Sequence, residues 1–491
     1  MNQKINNSKL YRLLPFRFKK FSNDEVFISN EVGEFIFISK DDFKKLVTYQ
    51  LDFQSGTFLN LKSKQILTDT EIEPVIEMLA TKYRTKKSFL NNFTALHMVV
   101  PTLRCNSNCK YCQVSRKDIN AKHSDMDKIT AKKTVDLIFK SPSPVIKIEF
   151  QGGEPLLNFK IIRYIIERAE WLNIFKRKYL EFVICTNLTL VTEEMLKYLK
   201  EHHVYISTSL DGPKDLHNTN RPLQSTENSY DIVIEKINLC RKYLGEDAVS
   251  ALMTASRYSL GRFKEIVDEY LKQDFNSIFL RSLNPYGFAK RDREGLGYEI
   301  DEFIDDYKEV LDYIVDINLK GKFFVESFAS LLLTRILTPF STGFVDMQSP
   351  AGVGISGVVY NYDGNVYVSD EARMLASMGD NKFLMGNVHK QSYQELFNSE
   401  FLHSLIKSAC LESLPECDYC AYQSFCGADP VRNYSEQGDI VGNRAISEVC
   451  KKNKKIMRYL LELIKKDDTN INNVFWSWIT RRPIEIGTKY I

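Results

Sequence analysis

Three cysteines, Cys105, Cys109 and Cys112, stand at C-x3-C-x2-C spacing in the stretch Cys105-Asn-Ser-Asn-Cys109-Lys-Tyr111-Cys112. Thiolates bind soft metals and iron–sulfur clusters. A short loop can wrap three thiolates around three corners of one cubane. The fourth iron is then left without a protein ligand and can hold a cofactor, whereas structural zinc normally closes with four ligands. The same spacing also suits a zinc knuckle completed by a distant His or Cys, or three unrelated thiols. A second group, Cys417, Cys420 and Cys426 at C-x2-C-x5-C spacing with Cys450 downstream, can close four thiolates around one site. On bare chemistry, tetrathiolate zinc fits it. Between the two groups lies Gly152-Gly153-Glu154-Pro155. Its glycines let backbone approach a ligand closely, and its carboxylate can accept hydrogen bonds from an ammonium group.

The elements that must position these residues are legible in part. The apolar run from Ala95 to Leu103 reads as a buried strand, with the first cysteine group in the loop at its end. Further strands read at Val145–Phe150, Glu181–Asn187, Val204–Leu210, Val249–Thr254 and Ser277–Arg281. Amphipathic stretches such as Phe159–Glu170 lie between them, and the alternation predicts parallel β-α units. Six units make a partial (β/α)6 barrel of TIM type, with function expected at the C-terminal strand ends. The cysteine loop, Gly-Gly-Glu-Pro, Thr186-Asn187 and Ser209-Leu-Asp211-Gly-Pro with His217 and Arg221 all fall at such ends. Cys185, within a strand, and Cys240, within a helix, read as buried core thiols.

Following the cysteine loop by one β-α unit, Gly-Gly-Glu-Pro resembles the radical S-adenosylmethionine (radical SAM) superfamily. The resemblance implies a [4Fe-4S] cluster on Cys105, Cys109 and Cys112, whose open iron is chelated by the methionine end of SAM. It further implies that Tyr111, Gly152, Gly153, Glu154, Asn187, Ser209 and Arg221 bind the cofactor. Arg221 could pair with the methionine carboxylate and Ser209 with the ribose. The run Ser209-Leu-Asp-Gly-Pro-x3-His-x3-Arg resembles the fourth-strand signature of radical SAM proteins with a SPASM extension. Beside these motifs the second cysteine group resembles half of a SPASM domain, which favours an auxiliary [4Fe-4S] cluster over zinc. The other half departs from the pattern: Ser349, Ser369 and Pro430 stand where cysteines are expected, so that site is expected to be empty. Asp370 follows one lost ligand, and the resemblance offers it as a base for the substrate radical, against a plain solvated turn aspartate.

Five units are expected. Residues 1–94, with hairpin strands in Glu25–Asn30 and Glu34–Ser39 and small helices after them, resemble the winged-helix element that recognises a peptide at a sheet edge, against a generic α+β cap on the barrel. Residues 95–288 carry the barrel, 289–348 a helical bridge, 349–451 the SPASM-like cysteine-rich domain, and 452–491 a helix and aromatic tail packed on the barrel. Leu14–Lys19, Tyr360–Leu375, Gly386-Asn-Val and Cys426–Pro430 are similar to radical SAM maturases of His-Xaa-Ser repeat systems. Membership would imply a small substrate protein rich in His-Xaa-Ser repeats and a second radical SAM maturase nearby. Radical SAM chemistry also implies an electron donor such as flavodoxin or ferredoxin. A radical SAM enzyme acting on a small metabolite, or a non-catalytic cluster or zinc scaffold, are the alternatives.

Composition bounds the class. The 491 residues carry a formal charge of only +3, which offers no argument for nucleic-acid binding. No apolar run spans a bilayer, and Met1–Ser8 lacks the apolar segment of a signal peptide. The expectation is a cytoplasmic protein without membrane or nucleic-acid partners, whose ten cysteines are metal ligands or buried thiols rather than disulfides.

Overall fold

The computed structural model describes residues 11–484. The reading of Met1–Ser8 lies outside them.

The chain opens with a three-stranded antiparallel sheet of β1 (Phe16–Lys20), β2 (Glu25–Asn30) and β3 (Phe35–Ser39). Ser39 Oγ accepts from the Asp42 amide at 3.0 Å and starts the helix Lys40–Val47. Strand alternation gives β2 two cores. Val26 and Ile28 join a small core with Tyr11, Leu46, Phe58 and Leu61, while Phe27 joins the main core. A further helix, Gly56–Ser63, buries Phe58 and Leu61 in the same small core.

The barrel strands are β4 (Leu96–Thr102), β5 (Val145–Gly152), β6 (Tyr179–Cys185), β7 (Val204–Ser209), β8 (Val249–Thr254) and β9 (Leu280–Arg281). All pair in parallel, in chain order, as the βα alternation requires. Val99, Phe150, Ile184 and Ile206 form one fully buried row across four strands. The last expected strand is broken. Ser277–Ile278 pairs with Val325–Glu326, and only Leu280–Arg281 continues the barrel sheet.

The sheet also continues past the other edge. The hairpin of β10 (Gly357–Tyr360) and β11 (Asn365–Tyr367) follows, with β12 (Leu384–Asn387) beyond it. Strand β10 lies parallel to β4, so barrel and hairpin form one nine-stranded sheet among the described residues. His97 on β4 fastens this junction. Its Nε2 donates to the Thr94 carbonyl at 3.1 Å, because a carbonyl can only accept, and its Nδ1 then accepts from Tyr360 Oη at 3.2 Å.

The bridge is helical at Ile300–Leu319 and Ser327–Leu337. The tail forms the helices Glu448–Lys465 and Thr469–Thr480. Val474, Phe475 and Trp478 are buried, and their helix packs on the two bridge helices rather than on the barrel wall that the sequence suggested.

Candidate functional site

The first cysteine loop leaves β4 at Thr102 and is clamped from several sides. Arg104 holds Asp125 with two bonds of 2.7 Å and reaches the carbonyls of Ile119 and Leu157. The Asn108 amide donates to Pro222 O at 2.6 Å and the Lys110 amide to Asn220 O at 2.9 Å. The Phe288 amide caps the Cys112 carbonyl at 2.8 Å. Each clamp joins the loop to a different part of the barrel, so its conformation is fixed by tertiary structure.

Gly152 and Gly153 meet the base of this loop. A Cβ on Gly153 would lie 2.2 Å from the Arg104 carbonyl and 2.5 Å from that of Leu103. Gly152 has φ of +131°, and a Cβ there would lie 2.5 Å from the Thr102 carbonyl. The close backbone approach read from the two glycines is therefore an approach to the chain's own cysteine loop. Glu154 continues the clamp: its amide donates to Arg104 O at 2.7 Å. Its buried carboxylate accepts from the Leu156 amide, Thr186 Oγ1 and the Asn187 amide at 2.7 to 3.0 Å. Asn187 Nδ2 then reaches Asn106 and Ser107 inside the cysteine loop at 2.9 and 2.8 Å.

On the far side, Tyr111 Oη donates to both Asp211 oxygens, at 2.8 and 2.6 Å, and accepts from Arg221 at 2.7 Å. Burial pushes the Asp211 carboxyl up, against the pull of Arg221. Tyr111, Arg221, Glu154 and Asn187 thus converge around the loop, and Ser209 stands at the C-terminal end of β7. Sequence reading left out Arg104 and Asp125, because nothing in their spacing marks a pair 21 residues apart. Asp211, read from the sequence only as lying at a strand end, is a fully buried carboxylate that anchors Tyr111.

His217 accepts from the Asp211 amide at Nδ1, at 3.3 Å. Burial lowers both His217 and His97 to about 3. A folded pKa below the unfolded value of about 6.5 means that the unfolded chain takes up the proton first. Stability is therefore complete above about pH 6.5 and falls with acidification toward pH 3. Each histidine should remove about 2 kcal/mol by pH 5. Urea unfolding at pH 7 and pH 5 is expected to lose less stability in His97→Gln than in wild type. Equal losses would show that His97 does not carry this dependence.

Cys105 is buried. Burial first, then Glu154 and the neighbouring thiols, push it up to about 12. Burial also raises Cys109, with Cys112 adding to it. Thiols that oppose one another's ionisation in this way suit a polycationic cluster, which stabilises thiolates. The three-thiol donor set fits a cubane with one open corner.

The second group is gathered by different elements. Cys450 sits in the first turn of the helix Glu448–Lys465, and its amide donates to Ser447 Oγ at 3.2 Å. Burial and then Cys450, Cys420 and Cys417 push Cys426 up to about 12, so all four thiols share one site. Cations surround it. Arg444 acts electrostatically on Cys417, Lys454 on Cys450, and Lys19 from β1 on Cys420 and Cys450. Arg335 donates to the carbonyls of Phe425 and Cys426 at 2.8 and 3.3 Å. This surround offsets the negative charge of a thiolate-ligated cluster. Among the described residues, no three His, Cys, Asp or Glu side chains are close enough to hold a single metal ion.

The N-terminal sheet docks directly on this segment. Ser29 Oγ donates to Ala421 O at 2.6 Å, and Arg17 Nε donates to Asp418 O at 2.5 Å. The rings of Phe27 and Tyr422 lie 5.7 Å apart.

The three positions where ligands are missing each do something else. Ser349 donates to Glu412, which is also held by Lys87 at 2.6 Å and Tyr83 at 3.0 Å. Burial opposes ionisation of Glu412, but Lys87 and Ser349 outweigh it and bring it down to about 2. Ser369 Oγ caps the helix Asp370–Ser377, and Pro430 opens the helix Pro430–Gln437 behind the Asp429 cap. Asp370 is half-buried at the first of these helix starts, within electrostatic reach of Glu149 on β5, Asp346 and Arg373. Glu371 beside it lines a cavity of about 290 Å³ with Asp346, Asp429, Arg281 and Arg432, open to Cys417 and Cys426. Cys185 departs from the core thiol expected. It ends β6 half-buried, between Glu149 and Ser207, because alternation places it on the face opposite Ile184. Cys240 is fully buried as expected.

Residues 99–272 match the model of the Radical SAM superfamily. Over this segment the chain is similar to that superfamily. The family uses a [4Fe-4S] cluster and S-adenosylmethionine, for which the three-cysteine loop is the fitting donor set. Over 363 residues the chain is 23% identical to the cysteine-type anaerobic sulfatase-maturating enzyme of Clostridium perfringens, covering 72% of this chain and 93% of that protein. The serine-type enzyme of Bacteroides thetaiotaomicron is 25% identical, over 71% of this chain and 84% of its own length. The structure of anSMEcpe with bound AdoMet and Cp18Cys peptide superposes with a TM-score of 0.63 at 21% identity, covering 77% of this chain and 99% of that one. Streptococcus suis SuiB bound to precursor peptide SuiA gives a TM-score of 0.51 at 14% identity, covering 90% and 100%. The fold is the radical SAM α/β fold. No helix among the described residues is long and apolar enough to cross a membrane.

Proposed function

We propose that this protein is a radical SAM maturase that modifies a ribosomally made peptide or small protein. One observation carries the reading: Cys105, Cys109 and Cys112 lie in a single clamped loop, ringed by Glu154, Asn187, Tyr111 and Arg221 at the strand ends of a radical SAM barrel. When bound, the cluster and SAM supply a reductively generated adenosyl radical that abstracts a hydrogen atom from substrate. The chain's residues bind and orient. Gly152, Gly153 and Glu154 fix the loop, and Asn187 and Ser209 flank the cofactor. Arg221 keeps guanidinium donors beyond the one given to Tyr111, with which to pair a carboxylate. Cys417, Cys420, Cys426 and Cys450 hold a second cluster, since their spacing and cationic surround suit a cluster better than one zinc ion. The position of the other SPASM cluster is empty of ligands and refitted by Glu412 and the two helix starts.

The substrate we assign is a small protein with His-Xaa-Ser repeats, on the strength of Leu14–Lys19, Tyr360–Leu375 and Cys426–Pro430. A second radical SAM maturase and a one-electron donor complete the system. The N-terminal unit, residues 1–94, is the part assigned to peptide capture, and a cytoplasmic location fits the thiol chemistry. Co-expression with candidate repeat proteins, followed by mass spectrometry, tests the assignment. A mass change dependent on Cys109 supports it, and modification of only unrelated peptides sinks it.

Asp370 is assigned as the group that accepts a proton from the substrate. Asp370→Asn is expected to leave SAM cleavage within a few-fold of wild type while product formation drops by about 100-fold or more. Parallel loss of both would make it a structural residue instead.

A further inference from the structure

The segment Gly287–Leu296 lies directly on the first cysteine loop. The Phe288 amide donates to the Cys112 carbonyl at 2.8 Å, and a Cβ on Gly287 would lie 2.4 Å from the Gln113 carbonyl. Between segment and loop runs an open groove of about 760 Å³ whose floor includes Cys109. Its walls carry Lys110, Arg116, Lys290, Arg291 and Arg293, against only Asp292 and Glu294. The excess in this groove equals the net charge of the entire chain, +3, so the rest of the molecule sums to zero. Ion pairs engage two of the five cations and leave three without a carboxylate partner. Arg291 meets Asp292 and Arg293 meets Glu448, while Lys110 and Arg116 stack on Tyr258 and Phe288, and Lys290 donates to the Ser435 carbonyl. Lys290, Arg291 and Arg293 are all exposed. A basic groove of this kind raises the local concentration of an acidic partner.

Resting on the radical SAM reading above, we infer that this groove is where an acidic one-electron carrier protein of the flavodoxin class docks to reduce the site at Cys105, Cys109 and Cys112. Each turnover requires one electron from outside. The reduced carrier gives up that electron and leaves one electron more oxidised, and scission of one carbon–sulfur bond of SAM consumes it, giving methionine and a 5′-deoxyadenosyl radical that takes its hydrogen atom from the substrate. The groove brings the carrier against Cys109 and its neighbours in the cysteine loop without crossing the barrel, which is left to SAM and substrate.

The test uses the full-length reconstituted protein and purified reduced flavodoxin, with Lys290→Glu/Arg291→Glu compared with Lys290→Arg/Arg291→Lys. Binding is read without turnover by interferometry, and SAM cleavage is read with flavodoxin or with dithionite. The charge-reversed protein should need about tenfold more flavodoxin or above for half-maximal binding and cleavage. Its sensitivity to salt should be weaker. Its dithionite-driven rate should stay within about twofold of wild type, and the charge-keeping protein should match wild type throughout. Unchanged flavodoxin affinity in the charge-reversed protein overturns the assignment, as does weakened peptide capture with normal flavodoxin binding. Should wild type fail to cleave SAM even with dithionite, the radical reading fails, while the binding arm still decides what docks in the groove.

Discussion

Protein carrying Cys109→Ala should contain about four fewer irons per chain than wild type and release 5′-deoxyadenosine only at background. The loop around this position is held by bonds that do not involve the Cys109 side chain: Arg104 to Asp125, Lys110 to Asn220 and Phe288 to Cys112. The substitution therefore removes a ligand while leaving the clamp in place. A cubane held by two thiolates is open at two corners and is not retained through purification. Iron analysis, the visible spectrum and chromatography of the adenosyl product measure the effect. Wild-type iron content in the alanine protein would mean that Cys109 is not a ligand. The cysteines at 417, 420, 426 and 450 would then account for all the bound iron.

Gly153→Ala should be nearly as damaging, for a reason that has nothing to do with the cofactor. The new methyl group would lie 2.2 Å from the Arg104 carbonyl and 2.5 Å from that of Leu103. Both are backbone atoms, the Arg104 carbonyl locked by the Glu154 amide and the Leu103 carbonyl by the Lys117 amide, each at 2.7 Å. No side chain can swing away, so either the strand end or the cysteine loop must move. Overpacking against fixed backbone costs about 3 kcal/mol or more. We expect a lower melting temperature and about four fewer irons per chain, both measured without SAM. If Gly153 served only to admit the cofactor, the apo-protein would melt normally and keep its iron. That outcome would overturn the packing account.

Much of the site was legible because its chemistry is written in short spacings. The C-x3-C-x2-C and C-x2-C-x5-C runs need no fold to be recognised, since neighbouring residues in a loop reach one ligand together. The parallel strands were legible because strand-like runs such as Val145–Phe150, with Ile146, Ile148 and Phe150 on the buried face, alternate with amphipathic helices. The broken final strand was not, because Ser277–Arg281 is as apolar as its neighbours. Only pairing with Val325–Glu326 divides it. Cys185 was misjudged for a related reason. Its strand is apolar, and only its register beside Ser207 and its contact with Glu149 show that it leaves the core.

By itself the sequence determined which atoms could do chemistry: three thiols for an open cluster, four for a closed one, and serines or proline where other ligands would stand. Local chain geometry suffices for most of that, because Cys105, Cys109 and Cys112, like Cys417, Cys420 and Cys426, lie within one short stretch, whereas Cys450 joins its group only through the helix Glu448–Lys465. Tertiary structure alone decided how those atoms are held and reached. Arg104 finds Asp125, Glu154 spans to Thr186 and Asn187, and Asp211 takes Tyr111 only once the strands lie side by side. The N-terminal sheet likewise acquires its place on the second cysteine segment through one face of β2. Such contacts join residues far apart in the chain, whose pairing is fixed by burial and strand register rather than by any spacing.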